Sequence, residues 1–75
     1  MDLIDKPDFA LKLARLILIE KYGKHNIGRQ EPLIIKETDL TWTIRGSLKP
    51  GYVGGVALIE IRKNDGAVIR ISHGK

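Results

Sequence analysis

Leu40-Thr41-Trp42-Thr43-Ile44-Arg45 decides the fold. Apolar Leu40, Trp42 and Ile44 alternate with Thr41, Thr43 and Arg45, the period of two expected of a strand with one face in a core. The chain that follows repeats the pattern. Lys49-Pro50-Gly51 reads as a turn, Gly54-Gly55 as a bulge or corner, and Val56 to Arg62 as a second alternating strand. Asn64-Asp65-Gly66 is a hairpin signal, and Ala67 to Ser72 follows as another strand. On the other side, Pro32 to Glu37 is a short strand, with Pro32 tolerable only at its start or on an edge, and Thr38-Asp39 turns the chain into Leu40. The expected strands therefore cover about 32–37, 40–48, 55–62 and 67–72.

Upstream the period changes. Pro7 suits the first helical position, Asp8 the first turn, Lys21 the last turn, and Gly23 the stop. Between them Phe9, Leu13, Leu16, Ile17 and Glu20 recur at helical spacing, which predicts a helix over 7–22 with this stripe toward the core. Leu11, Leu18 and Tyr22 fall roughly opposite. A flanking segment, Leu3-Ile4, is expected to cover them; the alternative is a contact surface for another chain.

Short connections between the strands force an antiparallel meander, because parallel strands need long crossovers. One helix is available to cover one face. The expectation is an α+β fold over a single domain, residues 1–75: a helix packed across a four-stranded antiparallel sheet, a cystatin-like roll. Its sheet core should hold Leu40, Trp42, Ile44, Ala57, Ile59, Ile61, Ala67, Ile69 and Ile71.

Composition narrows the function. The chain has 75 residues, no cysteine, 43% hydrophobic and 29% charged residues, and a formal net charge of +4. Disulfide staples and thiolate chemistry are therefore absent, and the charge biases partners toward anions. The longest apolar run, Leu16 to Ile19, is far too short to span a bilayer. Asp2 and Asp5 contradict the basic start of a signal peptide, so the expected compartment is the cytoplasm, or the periplasm if a leader was removed.

The search for chemistry points away from an enzyme. His25 and His73 are the only histidines, without metal-ligand spacing, and neither Ser47 nor Ser72 sits in a nucleophile elbow. Gly51, Gly54 and Gly55 match no phosphate-binding pattern, and no carboxylate pair is placed for acid–base work. No cofactor or metal is expected. Nucleic acid is not expected either: Trp42 and Phe9 are assigned to the core, and basic residues are interspersed with acids.

The sheet face turned away from the helix is the most informative surface. Alternation places Thr41, Thr43, Arg45, Val56, Leu58, Glu60, Arg62, Val68, Arg70 and Ser72 there. Apolar residues framed by arginines resemble the centre and rim of a protein interface. Arg45, Leu58, Glu60, Arg62 and Arg70 are the candidate partner-binding residues, for a foreign protein or a second copy.

The residues also carry a resemblance. Ala10-Leu11-Lys12-Leu13-Ala14 leading to Tyr22-Gly23, then Gln30-Glu31-Pro32, opens an ordered set of short motifs. It continues through Trp42-Thr43-Ile44-Arg45-Gly46, Gly54-Gly55-Val56-Ala57, Ile59-Glu60-Ile61, Asp65-Gly66 and Ser72-His73-Gly74-Lys75. Together these resemble immunity proteins of bacterial polymorphic toxin systems with a nuclear-transport-factor-two-like fold. The resemblance implies a protein that binds and neutralises a cognate toxin by blocking its active site or substrate path. Helix and strand count here match a minimal version of that fold, so an enclosed ligand pocket is not expected. Alternative readings are a propeptide-like module that inhibits peptidases and a structural homodimer with no enzyme target.

Overall fold

Trp42 and Ile44 point into a core closed on one side by a sheet and on the other by a helix. The computed structural model describes residues 1–52 and 54–74; Lys75, the last residue of the terminal Ser72–Lys75 motif, lies outside them. Two helices, α1 (Pro7–Tyr22) and α2 (Lys24–Gly28), precede four strands: β1 (Ile34–Glu37), β2 (Thr41–Arg45), β3 (Ala57–Arg62) and β4 (Val68–His73). The sheet order is β1-β2-β3-β4 with every pair antiparallel, the expected meander.

Cross-strand register explains the core. Ile35, Ile44, Ile59 and Ile71 form one row across all four strands, and Trp42 pairs with Ile61 beside it. Trp42, Ile44, Ala57, Ile59 and Ile61 are buried. Four expected members are not, Ile71 being half-buried at the edge of the core. Leu40 is 73% exposed because it belongs to the turn before β2 rather than to the strand. Ile69 is 48% exposed, and Ala67 is only half-buried in the β3–β4 turn. The cause is a bulge: Glu60 pairs with Arg70 but Ile61 with Val68, leaving Ile69 as the extra residue. A single inserted residue breaks alternation beyond it, so Val68 sits opposite Ile61 rather than on the open face.

Helix α1 spans the predicted 7–22 but presents a different stripe. Ala10, Ala14 and Leu18 are fully buried, whereas Phe9 is 43% and Leu16 59% exposed. Both helix faces carry apolar residues, so period alone left the orientation open. Small Ala10 and Ala14 let the helix backbone approach the sheet, and Leu18 fills the space further along. Leu11, Leu13, Ile17, Ile19 and Tyr22 pack at the margins. Ile4 does join the core, although it docks on the sheet side. Its carbonyl accepts the Trp42 indole N–H at 2.9 Å, and Leu3 and Ile4 donate backbone N–H groups to Asn64 and Lys63.

After Gly23 the chain makes a second, short helix, α2, beyond the single helix read from the sequence; Ile27 anchors it in the core. The next residues build a buried polar node that the sequence pattern did not show. Gln30 Oε1 accepts the buried Ala57 N–H at 2.7 Å. That contact fixes the amide orientation, so Nε2 donates to Asn26 Oδ1 at 3.1 Å and to His73 Nε2 at 3.0 Å. His73 must then carry its proton on Nδ1, which donates to the Gly74 carbonyl at 2.7 Å. Gly46 makes room for this amide: a Cβ there would lie 2.1 Å from Gln30 Oε1. At the opposite end, Lys63 is buried over the Trp42 ring at 4.9 Å and pairs with Glu37.

Two stability measurements check this packing. Leu18→Ala should cost about 2–5 kcal/mol in chemical denaturation, while Phe9→Ala and Leu16→Ala should each cost under about 1 kcal/mol. A reversed ranking would put the other helix face against the sheet. Gln30→Ala should cost about 1–3 kcal/mol and speed hydrogen exchange at the Ala57 amide, which loses its acceptor.

Candidate interaction surface

The face of the sheet away from α1 is built by the residues that alternate with the core rows. On β2, Thr41, Thr43 and Arg45 flank Trp42 and Ile44; on β3, Leu58, Glu60 and Arg62 flank Ile59 and Ile61. Register brings them into transverse rows. Arg45 lies opposite Leu58, and Leu58 opposite Ser72; Thr43 lies opposite Glu60, and Glu60 opposite Arg70; Thr41 lies opposite Arg62. All five candidate residues, Arg45, Leu58, Glu60, Arg62 and Arg70, therefore share one face. Strand β1 extends the rows with Ile34 beside Arg45 and Lys36 beside Thr43. The sequence reading did not assign these two to a face, although burial of Leu33 and partial burial of Ile35 is the alternation that marks them.

The five side chains are not equivalent. Glu60 is the polar centre: its Oε2 accepts the Thr41 hydroxyl at 3.0 Å and its Oε1 lies 3.9 Å from Arg70 Nε. Arg62 is committed to the hairpin, with Nε and Nη2 bound to the two Asp65 carboxylate oxygens at 3.0 and 2.9 Å. The Arg62 guanidinium, helped by the Ala67 N–H, lowers the Asp65 carboxyl to about 2. Arg45 is exposed and makes no ion pair among the described residues, and half-buried Leu58 lies beside it. Arg45 and Arg70 are thus exposed on this face and Leu58 half-buried, with Arg70 lying beside its Glu60 partner.

Other candidate chemistry does not assemble. Among the described residues no group of three His, Cys, Asp or Glu side chains could hold a metal. His25 lies exposed on α2, while His73 is tied into the Gln30 node. No helix among the described residues is long and apolar enough to cross a membrane. Outside the sheet face, Arg15 pairs with Glu31 at 2.7 Å, which joins α1 to the lead into β1 and lowers the Glu31 carboxyl below its usual range.

Comparison with known proteins identifies relatives. The model of the family described as NTF2 fold immunity protein matches residues 9–75. The uncharacterized protein YhhH of Escherichia coli (strain K12) is 33% identical over 75 residues, covering 99% of this chain and 59% of that one. The uncharacterized protein YbbC of the same organism is 34% identical over 67 residues, covering 88% of this chain and 55% of that one. The chain therefore spans somewhat more than half the length of these curated relatives. No solved structure matches.

The depressed Asp65 carboxyl gives a direct test of the hairpin clamp. Its stabilisation is present above the ordinary value of 3.8 and is lost as pH falls toward about 2. In Arg62→Ala the carboxyl, followed by NMR, should titrate closer to 3.8, yet stay below it because the Ala67 N–H remains. An unchanged titration would show that Arg62 does not hold Asp65 in solution.

Proposed function

The chain belongs to the NTF2 fold immunity protein family, and from that premise we propose that it binds and neutralises a cognate toxin through its open sheet face. The observation that carries this reading is the uncovered Arg45–Leu58 pair with Arg70 nearby, an apolar contact framed by guanidinium groups. Arginine is favoured in such settings because its planar fork recognises carboxylates and its stem covers apolar surface. The sheet behind this face is pinned by the isoleucine rows, so the contact groups are held in place before a partner arrives. Docked over a toxin's active site or substrate path, the face would exclude substrate; the protein itself performs no reaction. The compartment in which this protection operates is the cytoplasm.

Co-expression with the protein encoded immediately upstream in the same operon tests the reading. Rescue of growth and co-elution on a sizing column are expected. Arg45→Glu and Arg70→Glu should each weaken the complex about tenfold or more, since each places a carboxylate against the partner's complementary surface. Failure of both rescue and co-elution would remove the toxin reading. Inhibition in a peptidase panel would then favour the propeptide-like alternative, and concentration-dependent stability would favour a homodimer.

A further inference from the structure

The formal net charge of +4 is not spread over the molecule. Residues 21–30 contain Lys21, Lys24 and Arg29 with no Asp or Glu, and residues 46–59 contain Lys49 with none. The remaining nine Lys and Arg are matched by the nine Asp and Glu. Five of those nine cations are paired with an acid: Lys12 with Asp8, Arg15 with Glu31, Arg62 with Asp65, Lys63 with Glu37 and Arg70 with Glu60. The two acid-free segments, by contrast, meet in space. Ser47 N–H donates to the Gln30 carbonyl at 2.8 Å, and the Ser47 hydroxyl donates to the Pro32 carbonyl at 2.7 Å.

Where they meet they form an open cleft of about 570 Å³ lined by Lys24, His25, Gly28, Arg29 and Lys49. A smaller recess of about 60 Å³ continues from it, sharing Arg29 and Lys49 and adding Leu48 and Tyr52. Lys24, Arg29 and Lys49 are exposed and make no ion pair among the described residues, and Leu48 and Tyr52 expose apolar surface at the edge. Three like charges held around a concavity repel one another, and an anion entering it relieves that repulsion. Gln30 anchors the cleft wall, so the two backbone segments that carry Arg29 and Lys49 are joined.

We infer that this cleft is a second docking site, taking an acidic polypeptide segment of the partner whose carboxylates meet Lys24, Arg29 and Lys49 while a neighbouring apolar side chain lies on Leu48 and Tyr52. The partner being a protein rests on the immunity reading; the cleft itself rests on charge and shape. A nucleic-acid strand fits less well, because the described lining offers two separate rings, His25 in the cleft and Tyr52 in the smaller recess, and successive bases need a continuous stacking platform. The cleft is lined from α2 and the connection between β2 and β3, whereas Arg45 and Arg70 stand on strands β2 and β4. A partner engaging both would grip an end of the roll rather than one face.

Titration of the full chain with a glutamate-rich peptide bearing one Phe, followed by amide NMR, tests the inference. Shifts confined to residues 24–29 and 47–52 are expected, and Arg29→Glu combined with Lys49→Glu should weaken binding about tenfold or more, with marked salt dependence. Arg45→Glu combined with Arg70→Glu should leave peptide affinity unchanged. Shifts spread over all cationic residues, or centred on the sheet face, would overturn the site. Tighter binding of an oligothymidylate of equal charge with the same footprint would reassign it to nucleic acid and overturn the acidic-segment inference. In the toxin complex, an unaltered affinity with the Arg29→Glu, Lys49→Glu variant overturns the cleft alone, whereas no complex with the unaltered chain overturns the immunity reading.

Discussion

The side-chain amide of Gln30 is the constraint on which the rest of one end depends. It lies where α2 ends and must satisfy the first amide of β3, the carboxamide of Asn26 and the ring of His73 at the end of β4. A buried amide left without partners would cost more than any single contact here contributes, so these elements are fixed relative to one another. Gly46 is required beside it, and Gly55 is required nearby for a related reason: a Cβ there would fall 1.9 Å from the Gly74 backbone. One small polar group thus sets where the sheet begins and ends, how α2 is seated, and where the two acid-free segments meet.

Apolar packing holds the other end with different means. Ile4 reaches under the sheet and accepts the Trp42 N–H, and Lys63 lies over the same indole. Between the two ends the isoleucine row supplies a flat wall against which Ala10 and Ala14 can settle closely. A chain of this size without disulfides has little core to spare, and combining polar pins at the ends with a close central contact answers that shortage.

Local signals made the architecture legible. Pro7 and Gly23 bounded α1, alternation through Trp42 and Ile44 marked β2, and Asp65-Gly66 marked the last hairpin. The resemblance to immunity proteins agreed with the family match over residues 9–75. What was hidden depends on contacts distant in sequence. Ala10 and Ala14 look less hydrophobic than Phe9 and Leu16, yet closeness of approach, not side-chain size, decided which face turned inward. The bulge at Glu60/Ile61 carries no composition signal on β3 and moved Ile69 outward. Arg45, Leu58 and Arg70 were legible on one face because alternation holds up to the bulge. The cleft was not, because Arg29 and Lys49 come together only through the Gln30–Ser47 contact.

The pleat of β2 and β3 has an evolutionary consequence. Ile44 and Ile59 maintain the fold, while Arg45 and Leu58, their immediate neighbours in the chain, turn to the opposite side. Exposed positions such as Arg45 tolerate replacement at small thermodynamic cost. On the proposed reading, recognition and foldability are therefore inherited on separate sets of residues. A lineage can accumulate changes at the outward positions as an antagonist diverges, without crossing a valley of unfolded ancestors.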